Sequence, residues 1–183
     1  MRRLENEPVV VQRDVQAVII PAGIEVKLRT GSAGYLTQAL GSSFTVYIEG
    51  NLFRIAGEDA DAIGKEPPTR PALPPGATDE DVRKLVWEQL RSCFDPEIPI
   101  NVVDLGLIYD CDVRPNDDGS RNVYVRMTLT APGCGMGDFL AQDIKDRIEA
   151  VPTIREAQVE MVFDPPWNQS MMSEAARLET GLM

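Results

Sequence analysis

Histidine is absent from the 183 residues, and cysteine occurs three times, at Cys93, Cys111 and Cys134. Without histidine there is no Ser-His or Cys-His nucleophile pair and no imidazole metal ligand. Any general base has to be a carboxylate, a lysine or a tyrosine. An odd cysteine count with no C-x-x-C spacing argues against a disulfide framework and against a self-contained zinc site, and fits a reducing compartment. Long apolar runs are also missing. None approaches the roughly 18 residues of a membrane span, and Met1-Arg2-Arg3 leads into Leu4-Glu5-Asn6-Glu7 rather than an apolar leader. A cytoplasmic protein without a membrane partner is expected. Basic residues are scarce, 18 Lys+Arg against 29 Asp+Glu, for a formal charge of −11. Up to Lys65 there are 7 basic and 8 acidic residues, a net of −1; the remainder has 11 and 21, a net of −10. The acidity belongs to the second part, where it repels phosphate backbones, so no nucleic acid partner is expected.

Residues 1–65 read as an all-β module. Val15, Ala17 and Ile19 alternate before a Pro21-Ala22-Gly23 turn, and alternation resumes from Ile24 to Leu28. Phe44 to Glu49 and Leu52 to Ile55 flank Gly50-Asn51, which predicts a two-residue hairpin turn of type II′. The product is a small twisted sheet or SH3-like barrel that packs on another partner or domain. Residues 66–77 hold Pro67, Pro68, Pro71, Pro74 and Pro75, which can neither continue a helix nor donate to a ladder, so this stretch is an extended linker.

A second domain, 78–183, is expected to be α-β-β-α-β with a mixed three-stranded sheet and a short last helix. Thr78 and Asp81 form a capping-box pattern. Val82, Leu85, Val86, Gln89, Leu90 and Cys93 then trace a helical stripe that must end by Asp95-Pro96. Leu105, Leu107, Tyr109, Cys111 and Val113 alternate through one strand, and Val123, Val125, Met127 and Leu129 through the next. A helix from about Gly137 to Ala150 and a strand from about Glu156 to Phe163 complete a right-handed crossover with parallel pairing. Ser173 is placed to cap the last helix.

Cys134 sits between glycines, after a strand and before a helix. A thiolate near a helix N-terminus has a lowered pKa and suits a soft metal or a nucleophilic role. Pro132, Gly133 and Gly135 shape that loop. A small residue filling a turn is the alternative reading. Cys93 and Cys111 fall on apolar faces and behave as core residues. Asp95 and Glu97, in Asp95-Pro96-Glu97-Ile98-Pro99, either share a proton or supply oxygen ligands, or else form a solvated loop. Thr128 and Thr130 share a strand face leading to Cys134, either as hydrogen-bond donors to a bound group or as ordinary half-exposed strand residues. Trp167 is either a partner contact or a lid on the core.

Two segments, Asp95-Pro96-Glu97-Ile98-Pro99-Ile100-Asn101-Val102-Val103-Asp104-Leu105-Gly106-Leu107-Ile108-Tyr109 and Thr128-Leu129-Thr130-Ala131-Pro132-Gly133-Cys134, resemble the paired motifs of the MIP18/DUF59 family. Thr37-Gln38-Ala39-Leu40-Gly41, Asp164-Pro165-Pro166-Trp167 and Met171-Met172-Ser173 are similar to a subgroup with an extra N-terminal region. Many relatives carry Cys-Pro where this chain has Cys134-Gly135. The resemblance implies a non-enzymatic iron–sulfur assembly factor. Its site comprises Cys134, Asp95, Glu97, Thr128 and Thr130. It holds no stable cofactor, and iron or a cluster passes through it. The implied partners are the assembly machinery and apo client proteins, with a homodimer as one way to complete a ligand shell. A metal-free adaptor for the same machinery is the second reading. A cysteine hydrolase is the third, and it lacks a suitable base.

Overall fold

A computed structural model describes residues 7–40, 43–95, 98, 100–131 and 137–181. The chain divides into two units, Met1–Thr69 and Arg70–Met183, each with its own buried apolar cluster.

In the first unit, six strands follow from the alternating sequence: β1 (Glu7–Val10), β2 (Val15–Ile20), β3 (Ile24–Leu28), β4 (Ala33–Leu40), β5 (Ser43–Ile48) and β6 (Asn51–Ala56). They form one antiparallel sheet in the order β1-β4-β5-β6-β2-β3. Inward residues Val15, Ala17, Leu36, Val46, Phe53 and Ile55 are buried together with Ala62 and Ile63 from a 3-10 helix at Gly57–Ile63. The expected barrel is not closed: β1 and β3 stand at opposite ends of the strand order, and no ladder among the described residues joins them. The β5–β6 turn also differs from expectation. Ile48 pairs with Asn51, so the two turn residues are Glu49 and Gly50. Their φ values, 48° and 87°, are both positive, the signature of type I′ rather than II′.

The second unit contains α1 (Asp79–Arg91), β7 (Ile108–Pro115), β8 (Arg121–Met127), α2 (Gly137–Glu149), β9 (Ile154–Met161) and α3 (Glu174–Thr180). Thr78 and Asp81 form the capping box at the start of α1. The sheet order is β7-β8-β9, antiparallel then parallel. Val82, Val86, Leu90 and Cys93 of the first helical stripe join Leu140, Ile144 and Ile148 of α2 in the core. Arg147 of α2 reaches the far end of α1. Its Nη1 donates to Ser92 Oγ at 2.8 Å and its Nε to Asp143 Oδ2 at 3.2 Å, with Arg147 and Asp143 both buried.

Two strand limits differ from the sequence expectation. β7 begins at Ile108 because Gly106, with φ 72°, turns the chain just before it; Leu105 and Leu107 are nonetheless fully buried. β9 ends at Met161, so Phe163 lies past the ladder and is 47% exposed.

Candidate functional site

The two sequence motifs of the second unit meet at the C-terminal end of β8. Val102 N donates to Cys93 O (2.9 Å), Leu107 N to Val102 O (3.0 Å), and Thr128 N to Leu107 O (2.8 Å). These three backbone bonds carry the chain from the end of α1, through the 101–107 segment, to the first residue after β8. On the other side Val162 N donates to Met127 O at 2.8 Å. The end of β8 is therefore held from both flanks. In a sheet with parallel pairing, the carboxyl ends of the strands are where crossover loops open and sites form.

Thr128 is 1% exposed and Leu129 next to it is also buried, so the chain leaves strand geometry here. Thr128 and Thr130 do not share a half-exposed strand face as predicted; Thr130 alone is half-buried. Leu129 packs on the first residue of α2, where a Cβ on Gly137 would stand 2.8 Å from Leu129 Cδ1. Glycine there lets the helix start against the strand end. Residues 132–136, including Pro132, Gly133, Cys134 and Gly135, lie outside the described residues, as does Glu97.

Asp95 is half-buried in a tight loop. Its N–H donates to Ile100 O at 3.2 Å, and its Oδ1 accepts from Ile98 N at 3.1 Å. An isolated bridge between Phe94 and Asn101 closes the same loop. Cys93 is fully buried, with Sγ 3.5 Å from Gln89 O. Burial pushes the Cys111 thiol up to about 12, and the neighbouring carboxylates of Asp110 and Asp112 act in the same direction. Cys111 therefore supplies no thiolate near neutral pH, and Cys93 is enclosed in the core. Among the described residues, no three of Cys, Asp and Glu are grouped as metal ligands.

Local sequence patterns miss the brace behind the first motif. Asn101 Oδ1 accepts from the N–H groups of Val103 (3.0 Å) and Asp104 (2.9 Å), while its Nδ2 donates to Asp104 Oδ2 at 2.6 Å. The segment after β9 then locks onto this turn. Trp167 Nε1 donates to Leu105 O at 2.8 Å, Ser173 N to Asp104 O at 2.8 Å, and Tyr109 Oη to Pro165 O at 2.7 Å. A side chain on Gly106 would overlap the Met171 carbonyl. Trp167 is half-buried against the core at this turn. Its partners lie about sixty residues away in sequence, beyond the reach of periodicity.

Comparison with known proteins places relatives on this unit. Residues 83–161, from α1 to the end of β9, match the family described as "Iron-sulfur cluster assembly protein". The chain is 45% identical over 106 residues to the "Fe-S protein maturation auxiliary factor" of Porphyromonas gingivalis, covering 58% of this chain and 93% of that protein. It is 39% identical over 89 residues to the "Fe-S protein maturation auxiliary factor SufT" of Staphylococcus aureus, covering 49% and 97%. It is 30% identical over 104 residues to the "Fe-S protein maturation auxiliary factor YitW" of Bacillus subtilis, covering 57% and 98%.

Proposed function

Because this chain belongs to the iron–sulfur cluster assembly protein family, we propose that it matures iron–sulfur proteins by receiving and handing on iron or a cluster at Cys134. The cluster is cargo here, not a resident group. The observation that carries this reading is the withdrawal of the other thiols: Cys93 is fully buried and Cys111 is held protonated, which leaves Cys134 as the soft ligand. Its loop springs from the point where both motifs are tied together by backbone bonds.

One thiolate falls short of the four ligands a cluster usually takes, so a partner completes the shell. That partner is an apo client, a component of the assembly machinery, or a second copy of this chain. Asp95, Glu97 and Thr130 are assigned as oxygen ligands or hydrogen-bond donors to the cargo, and Thr128, 1% exposed, as support for the strand end. The role is transfer without catalysis, in the cytoplasm. The module at 1–65, joined through 66–77 to the domain at 78–183, docks the machinery.

Replacing Cys134 with serine tests the reading. Cys134→Ser is expected to abolish client maturation in cells while circular dichroism and the melting temperature stay unchanged. The wild type, reconstituted anaerobically with iron and sulfide, is expected to show thiolate-to-iron absorption that the variant lacks. Full complementation by Cys134→Ser would sink the proposal and leave a metal-free adaptor.

A further inference from the structure

The sheet of the second unit ends at β9, and among the described residues no strand covers its outer edge. In the parallel β8–β9 ladder, Met127 pairs with Met161 and Val162 N donates to Met127 O. The even-numbered residues of β9 therefore bond inward, and the N–H and C=O groups of Ala157, Val159 and Met161 point out of the sheet. One of these is already satisfied: Ala157 N donates to Glu149 Oε1 at 3.0 Å. That carboxylate, from the last turn of α2, caps the edge at its beginning and leaves it open from Val159 onward.

Beside this open stretch, α2 and β9 enclose a groove of about 430 Å³, lined by Asp138, Ala141, Gln142 and Lys145 on the helix and by Ala157 and Val159 on the strand. Its floor is apolar and small, and its walls are polar. At its far end Phe163 offers an exposed aromatic ring. Acidic side chains outnumber basic ones here. Asp138, Glu149, Glu156 and Glu160 flank the edge; each nearby cation is already paired, Lys145 with Glu149 at 3.9 Å, Arg126 with Glu160 at 3.6 Å and Arg155 with Asp118 at 3.6 Å. Two chains pairing through this edge would bring Glu156 and Glu160 of each copy onto one seam, where like charges repel.

We propose that the β9 edge, from Val159 to Phe163, takes an extended basic segment of a partner protein by strand addition. Backbone bonds to Val159 and Met161 supply the register, and an apolar side chain of the segment seats against the half-buried Ala141 and Val159. Lysines or arginines, alternating with it, fall on the other face beside Glu156 and Glu160. Because α2 runs back along β9, with Gly137 close to Met161, a segment bound here leads toward the loop that carries Cys134. The partner is then the giver or receiver of the cargo, a point that rests on the function proposed above.

The test is a titration of the full chain with a seven-residue peptide of alternating lysine and valine, followed by amide NMR shifts and calorimetry. Shifts are expected at residues 138–145 and 157–163, with the glutamate–valine counterpart binding at least tenfold more weakly. Val159→Pro removes an N–H that faces solvent and leaves the β8 ladder intact, so it is expected to weaken the lysine peptide at least tenfold. Ala141→Arg blocks the groove from the helix side and does the same should the proline variant fail to fold. The pair Glu156→Lys and Glu160→Lys reverses the preference between the two peptides. No saturable binding, shifts elsewhere, equal affinity for both peptides, or indifference to both blocking variants would overturn the proposal. So would a dimer in sedimentation that Val159→Pro dissolves, which would assign the edge to a second copy. Cys134→Ser should bind the lysine peptide like the wild type. Lost maturation with retained peptide binding supports the cysteine, and failed peptide binding with intact dependence on Cys134 removes only the edge proposal.

Discussion

In the first unit, three of the five strand pairs are hairpins between consecutive strands, closed by short turns. In the second, a parallel pair needs a helix to cross over, and the motif turn is braced by residues 56 and 62 positions away. The first unit carries almost none of the chain's excess negative charge and none of its cysteines; the second carries nearly all of the charge and all three thiols. The difference teaches where chemistry is affordable. A sheet tied mainly by near neighbours makes a stable platform, whereas the 104–109 turn is assembled from distant segments.

The sharpest way to break this contrast is thiol labelling. Raising the Cys111 thiol from 9.0 to about 12 lowers its thiolate fraction about a thousandfold at pH 8. Brief iodoacetamide treatment followed by peptide mass spectrometry should mark Cys134 and spare Cys93 and Cys111. Equal labelling would show that the second unit does not single out one thiol.

Next in size are matched core truncations. Ile55→Ala in the first unit and Leu90→Ala in the second each remove a fully buried side chain. Each should cost about 2–5 kcal/mol in urea unfolding. The two clusters share no residue, so the double variant should lose the sum to within about 0.5 kcal/mol. A larger coupling would mean the cores are not separate.

A smaller effect separates two crowded glycines. Gly34→Ala would press against the Tyr47 carbonyl, and Gly106→Ala against that of Met171, but only Gly106 also has a left-handed φ of 72°. Gly106→Ala should therefore lose more, about 1–3 kcal/mol, and release the brace, seen as a shift in Trp167 fluorescence. The opposite ranking in thermal unfolding would place the greater strain in the sheet.

Acid titration gives the smallest signal. The Arg13 guanidinium holds Asp61 below the ordinary carboxylate value of 3.8, and the Thr78 N–H and hydroxyl do the same for Asp81. A carboxylate lowered on folding adds stability above its unfolded value and loses it as pH falls through the folded one. Both units should weaken below about pH 4. Added salt should blunt the loss that depends on the Arg13 pair more than the one that depends on the Thr78 cap. Equal salt sensitivity would erase the distinction.

What could be read from sequence follows the same division by distance. The capping box at Thr78 and the stripe through Leu90 depend on neighbours within a few residues, and the parallel crossover from β8 to β9 follows from the order strand-helix-strand; the structure has all three. The Gly50-Asn51 dipeptide pointed to the hairpin but misplaced its turn by one residue, since the ladder sets register and Glu49 accepts a positive φ to satisfy it. Leu105 and Leu107 alternate like a strand because both are buried, yet Gly106 makes them a turn. Thr128 reads as a surface residue by type, but it is enclosed by flanking segments from 107 and 162. The brace through Trp167, Ser173 and Tyr109 has no local signature.

The brace also sets a timetable. Residues 165–173 follow Cys134 by about 30–40 positions, which at roughly 5–20 residues per second of synthesis is a delay of roughly two to eight seconds. During that interval the 101–109 turn of the nascent chain lacks the bonds from Trp167 and Ser173 that hold it. The turn is therefore finished only once the segment after β9 has been made, well after both motifs have been translated.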